Sequence, residues 1–335
     1  RTERNTGMTI SLQEATRAGA LTLDAATAAA VTAAAAKLTT VAGGRVDDPR
    51  WLAEAGRRWH DLPAALRKEL ADFRRDSGRS GALVVRGLPV DPVAVPGTPT
   101  VSGSVQREAT VAASVLMLAT FALGYPISFR PEKTGAMVHD VIPVPGSEEF
   151  QGNEGSVLLN FHNENAFHPH RPDYVLLLCL RADHDRVAGL RTASIRQVYG
   201  LLPEGTRESL FRREFVTAPP PSFGSLDAES DPHAVLSGAE DDPDVLVDFA
   251  ATEPLTPAAR AAMAVLRRLF AEHADTHHLV PGDLAIVDNR VTVHGRTAFT
   301  PRYDGSDRWL QRTFAAHDLR KSRRERAGDG HVLVG

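Results

Sequence analysis

The sequence has little cysteine and no long apolar run, and both shortages limit what the protein can be. Cys179 is the one cysteine among 335 residues, so no disulfide can form within the chain. A chain without disulfides fits a reducing compartment, and we expect a cytoplasmic location. No segment is long and apolar enough to cross a bilayer, and no charged-then-apolar signal pattern precedes the first helix. We therefore expect no contact with a membrane.

A strong charge of one sign is also missing. The formal net charge of -4 argues against nucleic acid as the main partner. Apolar residues make up 42% of the chain, enough for the core of one large domain. The composition leaves the oligomeric state open.

Helix-forming residues dominate the start of the chain, and strand-forming residues become frequent after about residue 126. Residues 10–80 are predicted to be helical, and the apolar run Leu83, Val84 and Val85 after them is predicted to be a buried strand. The stretch "HLVPGDLAIVDNRVTVHGR" indicates two strands around "DNR", preceded by His277 and His278 at the end of a helix. The basic run "LRKSRRERAGDGH" is typical of a solvated tail. This order of elements favours an α+β fold with an antiparallel sandwich.

The stretch "FHNENAF" places a histidine and a glutamate two residues apart. On a strand, His162 and Glu164 would point to one face and Asn163 to the other. His294, near the end of the strand in "NRVTVHGR", is the candidate for a third ligand. Two histidines and one carboxylate that leave open positions are the arrangement of non-heme Fe(II) oxygenases. A chance His-x-Glu is common, however, and two histidines with a carboxylate also suit zinc.

Two arginines follow the candidate third ligand and favour the oxygenase. Arg308 and Arg312 lie four residues apart in "DRWLQRTF". A guanidinium is always charged and forks to two oxygens, which suits the carboxylates of a co-substrate and a substrate. A solvated strand edge would show the same spacing, but Trp309 and Phe314 nearby indicate a partly buried segment.

The stretches "FHNENAFHPHRPDYVLLLCLRADHDR" and "PGDLAIVDNRVTVHGRTAFTPRYDGSDRWLQRTF" resemble the clavaminate synthase-like branch of the Fe(II)/2-oxoglutarate-dependent oxygenases. The resemblance is strong over residues 135–200 and 280–320. It implies a double-stranded β-helix core (a jelly-roll, as in cupins) flanked by helices. It also implies one oxygenase domain over residues 1–335, with a helical layer over 8–80 and the jelly-roll with insertions over 81–320.

The resemblance also implies roles for particular residues. His162, Glu164 and His294 match the iron ligands, and Arg308 matches the arginine that holds the far carboxylate of 2-oxoglutarate. Four residues match positions that contact the amino acid: Arg312 at its carboxylate, Asn153 and Glu132 at its head, and Asp248 at its side chain.

Two departures from the family pattern qualify this picture. Relatives that act on arginine or lysine often have Asp-x-Asp where this chain has Asp248, Phe249 and Ala250, and burying a strongly basic side chain without a second acid is costly. The sequence therefore favours a less basic substrate, although another loop could supply the missing acid. Leu190 replaces a threonine that helps to hold 2-oxoglutarate, and Thr192 is the nearest substitute.

The expected reaction uses Fe(II), 2-oxoglutarate and dioxygen to hydroxylate an unactivated C–H bond of a free L-amino acid, or of a close or carrier-bound derivative, in a small-molecule biosynthetic pathway. The carboxylate of Glu164 argues against halogenation, because halogenases of this superfamily have a small residue there. Desaturation or ring closure with the same cofactors stays open. A zinc-dependent, non-oxidative enzyme is the alternative from another class, and a non-catalytic binding protein is a weaker one.

Overall fold

The computed structural model describes residues 19–220, 223 and 231–334 of the chain. The helices are α1 (Ala25–Ala36), α2 (Pro49–Arg58), α3 (Ala64–Arg75), α4 (Val111–Leu123), α5 (Ile195–Val198), α6 (Glu204–Leu210) and α7 (Pro257–Glu272). The first strands are β1 (Ala20–Thr22), β2 (Ala82–Arg86), β3 (Tyr125–Phe129), β4 (His139–Val141), β5 (Leu159–His162), β6 (Tyr174–Arg181), β7 (Leu190–Ser194) and β8 (Phe215–Thr217). The others are β9 (Leu236–Ala239), β10 (Asp242–Val245), β11 (Thr252–Pro254), β12 (Asp275–His277), β13 (Leu284–Asp288), β14 (Thr292–Arg296), β15 (Trp309–Ala316) and β16 (Val332–Leu333).

Two sheets carry the architecture. The large sheet has eight strands in the order β1-β2-β13-β6-β15-β3-β16, and β4 pairs with β15 beside β3. The small sheet has the order β12-β7-β14-β5, and the pairs β9–β10 and β8–β11 lie apart from both. Only the outermost pairs of the large sheet, β1–β2 and β3–β16, are parallel. The prediction of an α+β chain with antiparallel sheets is confirmed for the described residues.

Strand β6 shows why its sequence reads as one apolar run. Its residues alternate between two cores: Leu176 and Leu178 pack with helices α1–α4, whereas Val175 and Leu177 pack in a second core. A central strand buried on both faces needs apolar residues at every position. The second core also includes Leu190 of the small sheet, so the inner faces of the two sheets meet there.

Helix ends follow the local sequence signals. Thr256 caps α7 by accepting a hydrogen bond from Ala259 N at 3.1 Å, and Pro257 occupies the first turn. Asp24 caps α1 in the same way, accepting from Thr27 N at 2.7 Å. The stretch "TPAARAAMAVLRRLFAEHA" is therefore helical from Pro257 to Glu272.

Three expectations about local structure are wrong. The range 10–80 contains strand β1, which pairs with β2, while residues 10–18 lie outside the described residues. His277 belongs to strand β12, five residues beyond the end of α7. The basic run near the C-terminus is not a solvated tail, because Arg326 is buried and β16 pairs with β3. Strands β1 and β16 thus join the large sheet from outside the range 81–320.

Candidate active site

The three candidate metal ligands meet between the two sheets. His162 ends β5, and His294 lies opposite it in the register of β14. Glu164 follows in the turn after β5, and one ligand atom from each residue lies within 4.8 Å of the others. His294 Nε2 is 3.6 Å from Glu164 Oε2, and the centroids of the two imidazole rings are 4.4 Å apart. The structure therefore brings together the triad that the sequence predicts.

A close approach between β5 and β14 makes this register possible. The pairing shifts between His294 and Arg296, so Gly295 lies at an irregularity. A Cβ atom on Gly295 would lie 2.6 Å from Leu159 O, which is closer than backbone atoms tolerate. The strand that carries His294 therefore needs glycine at the next position.

Two buried amides hold the turn that carries Glu164. Asn163 points away from the cavity, as predicted, and its Nδ2 donates to Asn289 O and Thr292 O at 3.0 and 3.1 Å. Asn289 Oδ1 accepts from Glu164 N at 2.8 Å, and its Nδ2 donates back to Glu164 O at 3.1 Å. The backbone of the ligand is thus fixed from the β13–β14 turn.

The donor atoms of the cluster fit a divalent cation. Glu164 Oε2 is buried and has no hydrogen-bond partner among the described residues. His162 Nδ1 lies 2.9 Å from Asn160 O, which leaves its Nε2 for the cavity. An imidazole oriented through its second nitrogen is typical of metal ligands. Two histidines and one carboxylate on one side of a cavity are the ligands of a non-heme Fe(II) site.

Arg312 dominates the electrostatics beside the cluster. Its Nη1 donates to Glu164 Oε1 at 3.0 Å, and its Nη2 donates to Glu132 Oε1. Burial alone would raise the pKa of Glu164, but Arg312 and His294 outweigh it and hold that pKa below its ordinary value. Burial lowers the pKa of His294, so its imidazole is neutral and able to ligate a metal.

Two further arginines face the cavity at a different place. Arg308 is 6% exposed, and no described residue accepts a hydrogen bond from its guanidinium. Arg296 donates through Nη2 to Val157 O at 3.0 Å and lies over the ring of Phe299, while its buried Nε has no hydrogen-bond partner in the described part of the chain. Burial, and then Arg308, lowers the pKa of Arg296 to about 9. Buried cations without carboxylates are costly, and an anionic ligand would offset that cost.

These groups line one cavity of about 530 Å³. Eight of the nine residues singled out from the sequence line it: His162, Glu164, His294, Arg308, Arg312, Asn153, Glu132 and Asp248. Thr192 does not: its side chain is buried, and its Oγ1 lies 3.2 Å from His277 Nε2. Because Thr192 stands opposite His294 in the strand register, it is near the triad without reaching the cavity wall. Its role in binding 2-oxoglutarate stays a prediction.

One wall of the cavity comes from the end of β8 and the Pro/Ser-rich loop that follows it. Thr217, Ala218 and Pro220 line the cavity, and Phe223 packs against Phe167. Residues 221–222 and 224–230 of this loop lie outside the described residues.

The sequence did not single out two of the residues that build the site. Arg296 stands in "HGR", directly after the third ligand and Gly295, and this position was its only signal. His139 contacts Arg312 from the neighbouring strand β4. Nothing in a single sequence predicts that contact, because it depends on which strands pair.

A two-histidine, one-carboxylate cluster between two sheets, beside buried arginines, is the arrangement of a non-heme iron oxygenase. The chain belongs to the family described as taurine catabolism dioxygenase TauD, TfdA family, whose pattern matches residues 48–314.

Similar proteins refine this assignment. An L-asparagine oxygenase of Streptomyces coelicolor is 59% identical over 93% of this chain and 94% of that protein. Clavaminate synthase 2 of Streptomyces clavuligerus is 37% identical over 85% of this chain and 90% of its own length. A crystal structure of asparagine oxygenase with Fe(II), 2S,3S-3-hydroxyasparagine and succinate is 58% identical, with a TM-score of 0.93 over 95% of this chain and 99% of that one. The expected resemblance to clavaminate synthase-like amino acid hydroxylases is thereby confirmed.

Proposed function

We propose that this protein is an Fe(II)- and 2-oxoglutarate-dependent oxygenase that hydroxylates free L-asparagine at C3. The observation that carries the proposal is the shared cavity, which is lined by the triad of His162, Glu164 and His294 and by Arg312, the donor of a hydrogen bond to Glu164. The 59% identity to an L-asparagine oxygenase supports the choice of substrate.

His162, Glu164 and His294 would hold the iron. Bound Fe(II) supplies the activation of dioxygen, coupled to the oxidative decarboxylation of 2-oxoglutarate to succinate. The protein keeps Glu164 ionised and His294 neutral, which are the protonation states that metal ligation requires.

Arg308 would bind the far carboxylate of 2-oxoglutarate. Its guanidinium is buried, faces the cavity and has no carboxylate partner recorded among the described residues. Arg296 adds a second positive charge to the same region, since the charge of Arg308 acts on it. A dianion with one carboxylate at the metal and the other near these arginines is complementary to that charge.

The head of the amino acid would lie between Arg312 and Glu132. Arg312 presents donors for the carboxylate, and Glu132 presents acceptors for the ammonium group. The positive charge of Arg312 outweighs burial and lowers the pKa of Glu132, so it is ionised. Asn153, which also lines the cavity, would add a polar contact to the head.

Asp248 would bind the side chain of the substrate through hydrogen bonds. Its Oδ1 accepts from Ala250 N at 2.8 Å, which leaves further acceptor positions for the NH₂ group of a carboxamide. The second acid of the Asp-x-Asp pattern is Ala250 here, so a buried cationic side chain would lack its partner. A neutral, hydrogen-bonding side chain such as that of asparagine fits better.

The architecture belongs to the same proposal. We infer that the two sheets form a double-stranded β-helix and that the chain is one oxygenase domain. Support comes from the inner core that both sheets share and from a family match that spans 48–314. Because the chain matches a dioxygenase family, the alternative of a zinc-dependent, non-oxidative enzyme has no support. No observation favours desaturation or ring closure over hydroxylation.

The test is turnover of the reconstituted enzyme. Purified protein with Fe(II), 2-oxoglutarate and ascorbate is given each of the common L-amino acids, and succinate and hydroxylated product are measured together. We expect succinate coupled one-to-one to 3-hydroxyasparagine, with little turnover of lysine or arginine. Coupled turnover of a basic amino acid in preference to asparagine would refute the proposed substrate. Loss of turnover in His162→Ala confirms that the triad is required.

A further inference from the structure

His139 is a buried histidine that stands directly across from Arg312 in the register of β4 and β15. Its side chain is 1% exposed. Ring Nε2 lies 3.0 Å from Ala136 O, and ring Nδ1 lies 3.0 Å from Arg312 Nη2. A carbonyl oxygen only accepts and a guanidinium only donates, so Nε2 carries the proton and the lone pair of Nδ1 accepts. The two contacts therefore select one neutral tautomer.

The charge state of His139 agrees with this geometry. Burial lowers the pKa of His139, against the opposing effect of Glu132. A protonated ring would direct a second N–H at the Arg312 guanidinium, where like charges and two donors would meet. His139 is thus an acceptor for Arg312 that adds no negative charge to the cavity.

Arg312 is held on several sides by these contacts. Nη1 donates to Glu164, Nη2 donates to Glu132 and His139, and the guanidinium lies 4.7 Å from the centroid of Phe314. The His139 ring also packs edge-on against Phe314, with centroids 5.6 Å apart. His139 and Phe314 are the two uncharged groups of this set, so they constrain the guanidinium whichever ions occupy the cavity.

The orientation of Arg312 gives the two carboxylate oxygens of Glu164 different surroundings. Oε1 accepts from Arg312 Nη1 at 3.0 Å, whereas Oε2 is buried without a hydrogen-bond partner among the described residues and lies 3.6 Å from His294 Nε2. One oxygen is thus occupied by a cation of the protein, and the other is directed to the metal cluster. If the guanidinium rotated, Glu164 would lose the hydrogen bond that holds Oε1 on Arg312 and leaves Oε2 for the metal cluster.

We propose that His139 is a positioning residue that acts through Arg312 to align the metal-ligand carboxylate of Glu164 and the binding site for the amino acid carboxylate. The part about the amino acid rests on the proposed function. The part about Glu164 needs only the metal cluster and can be tested without any substrate. Outer-shell partners of metal ligands typically change metal affinity by about 10–100-fold when they are removed.

The first measurement is the affinity of the metal-free protein for Co(II), which stands in for Fe(II) in air and has a visible spectrum. His139→Leu removes the acceptor, and we expect its dissociation constant for Co(II) to rise about 10-fold. His139→Asn returns an oxygen near the position of Nδ1 and should recover most of the loss. His139→Gln keeps a donor for Ala136 O but places no acceptor near Arg312. It should therefore have the same Co(II) affinity as His139→Leu, and it replaces that variant if the leucine variant does not fold. His331→Gln, at a partly buried histidine outside the cavity, is the matched control and should bind Co(II) as the wild type does.

A double-mutant cycle then tests whether His139 acts through Arg312. In an Arg312→Met background, His139→Leu should cause no further loss of Co(II) affinity. A further loss of similar size there, or wild-type Co(II) affinity in His139→Leu and His139→Gln, would overturn the proposal.

Steady-state kinetics separate this proposal from the proposed function. His139→Gln should raise the KM for asparagine and leave the KM for 2-oxoglutarate within about twofold, since His139 stands opposite Arg312 and Arg308 lies four residues earlier, before β15 begins. If the wild type turns over no asparagine while the Co(II) results stand, the substrate is wrong and the positioning role holds. If asparagine is hydroxylated but the KM for asparagine is unchanged in His139→Gln, the positioning role for the substrate is wrong.

Discussion

Asp248 and His162 pair through their backbones in an isolated antiparallel β-bridge. Hydrogen bonds on both sides extend it: Asn163 N donates to Val247 O at 2.8 Å, and Phe249 N donates to Phe161 O at 3.1 Å. The residue proposed to read the substrate side chain is therefore fixed in register with a metal ligand. In the proposed complex, this register sets how far the carboxamide lies from the metal and hence which carbon faces the oxidant.

Asp248→Ala tests whether Asp248 binds the side chain of the substrate. Loss of a hydrogen bond to a charged group costs about 1.5–3 kcal/mol, so the KM for asparagine should rise at least about 10-fold. The KM for 2-oxoglutarate should not change, because Arg308 and the triad are untouched. Glu253→Gln, an exposed change on β11, is the control and should behave as the wild type. Equal increases in both KM values would mean that the substitution only disturbs the turn that Asp248 caps.

Arg308→Gln tests the co-substrate site. We expect the KM for 2-oxoglutarate to rise about 10–100-fold and the KM for asparagine to stay nearly constant. Arg308→Lys should recover only part of the loss, because an ammonium group cannot fork to both carboxylate oxygens. Arg302→Gln, an exposed arginine in the preceding loop, is the control. A wild-type enzyme that used 2-oxobutyrate as well as 2-oxoglutarate would contradict this role, since 2-oxobutyrate lacks the far carboxylate.

The parts of the site that lie on regular strands were predictable from the sequence. Arg308 directly precedes β15 and Arg312 lies within it, and both line the cavity, as their spacing of four residues suggested. The same reasoning predicted that His162 and Glu164 converge while Asn163 turns away. The continuous apolar run of β6 likewise indicated a strand that is buried on both faces.

Long-range pairing determined the parts that could not be predicted. Residues 20–22 belong to a stretch of helix formers, yet they form β1 because the edge of β2 offers backbone hydrogen bonds that outweigh a weak propensity. Arg326 reads as a solvated residue, but Ser322 Oγ and Asp329 Oδ1 accept from it at 3.0 and 3.1 Å within the folded tail. His139 reaches Arg312 only because β4 pairs with β15.

Gly295→Ala tests the close approach of the two ligand strands. The new methyl group would lie 2.6 Å from Leu159 O, so β5 and β14 must separate or bend. Overpacking of this kind costs about 1–3 kcal/mol, and we expect a lower midpoint of chemical denaturation together with weaker Co(II) binding. Gly205→Ala lies in helix α6, where a Cβ atom would meet nothing within 4 Å, and it should be neutral or slightly stabilising. Co(II) affinity that is unchanged in Gly295→Ala would show that the ligand geometry does not depend on this contact.

The partly buried His331 predicts how the free energy of unfolding depends on pH. Burial lowers the pKa of His331, whose ring Nδ1 lies 2.7 Å from Pro126 O, below the ordinary value of 6.5. When the pH falls below about 6.5, the unfolded chain takes up a proton at this residue while the folded chain does not, so the free energy of unfolding must decrease. The decrease should stop once the pH reaches the lower pKa of the folded state.

Guanidinium denaturation of the metal-free protein between about pH 7 and pH 5 measures this dependence. One such histidine contributes at most about 1.4 kcal/mol per pH unit. His331→Gln cannot take up a proton, so its stability should fall less steeply with decreasing pH than that of the wild type. His60→Gln, at an exposed histidine, should keep the wild-type slope. A slope that His331→Gln leaves unchanged would mean that the folded protein protonates this residue as readily as the unfolded chain does.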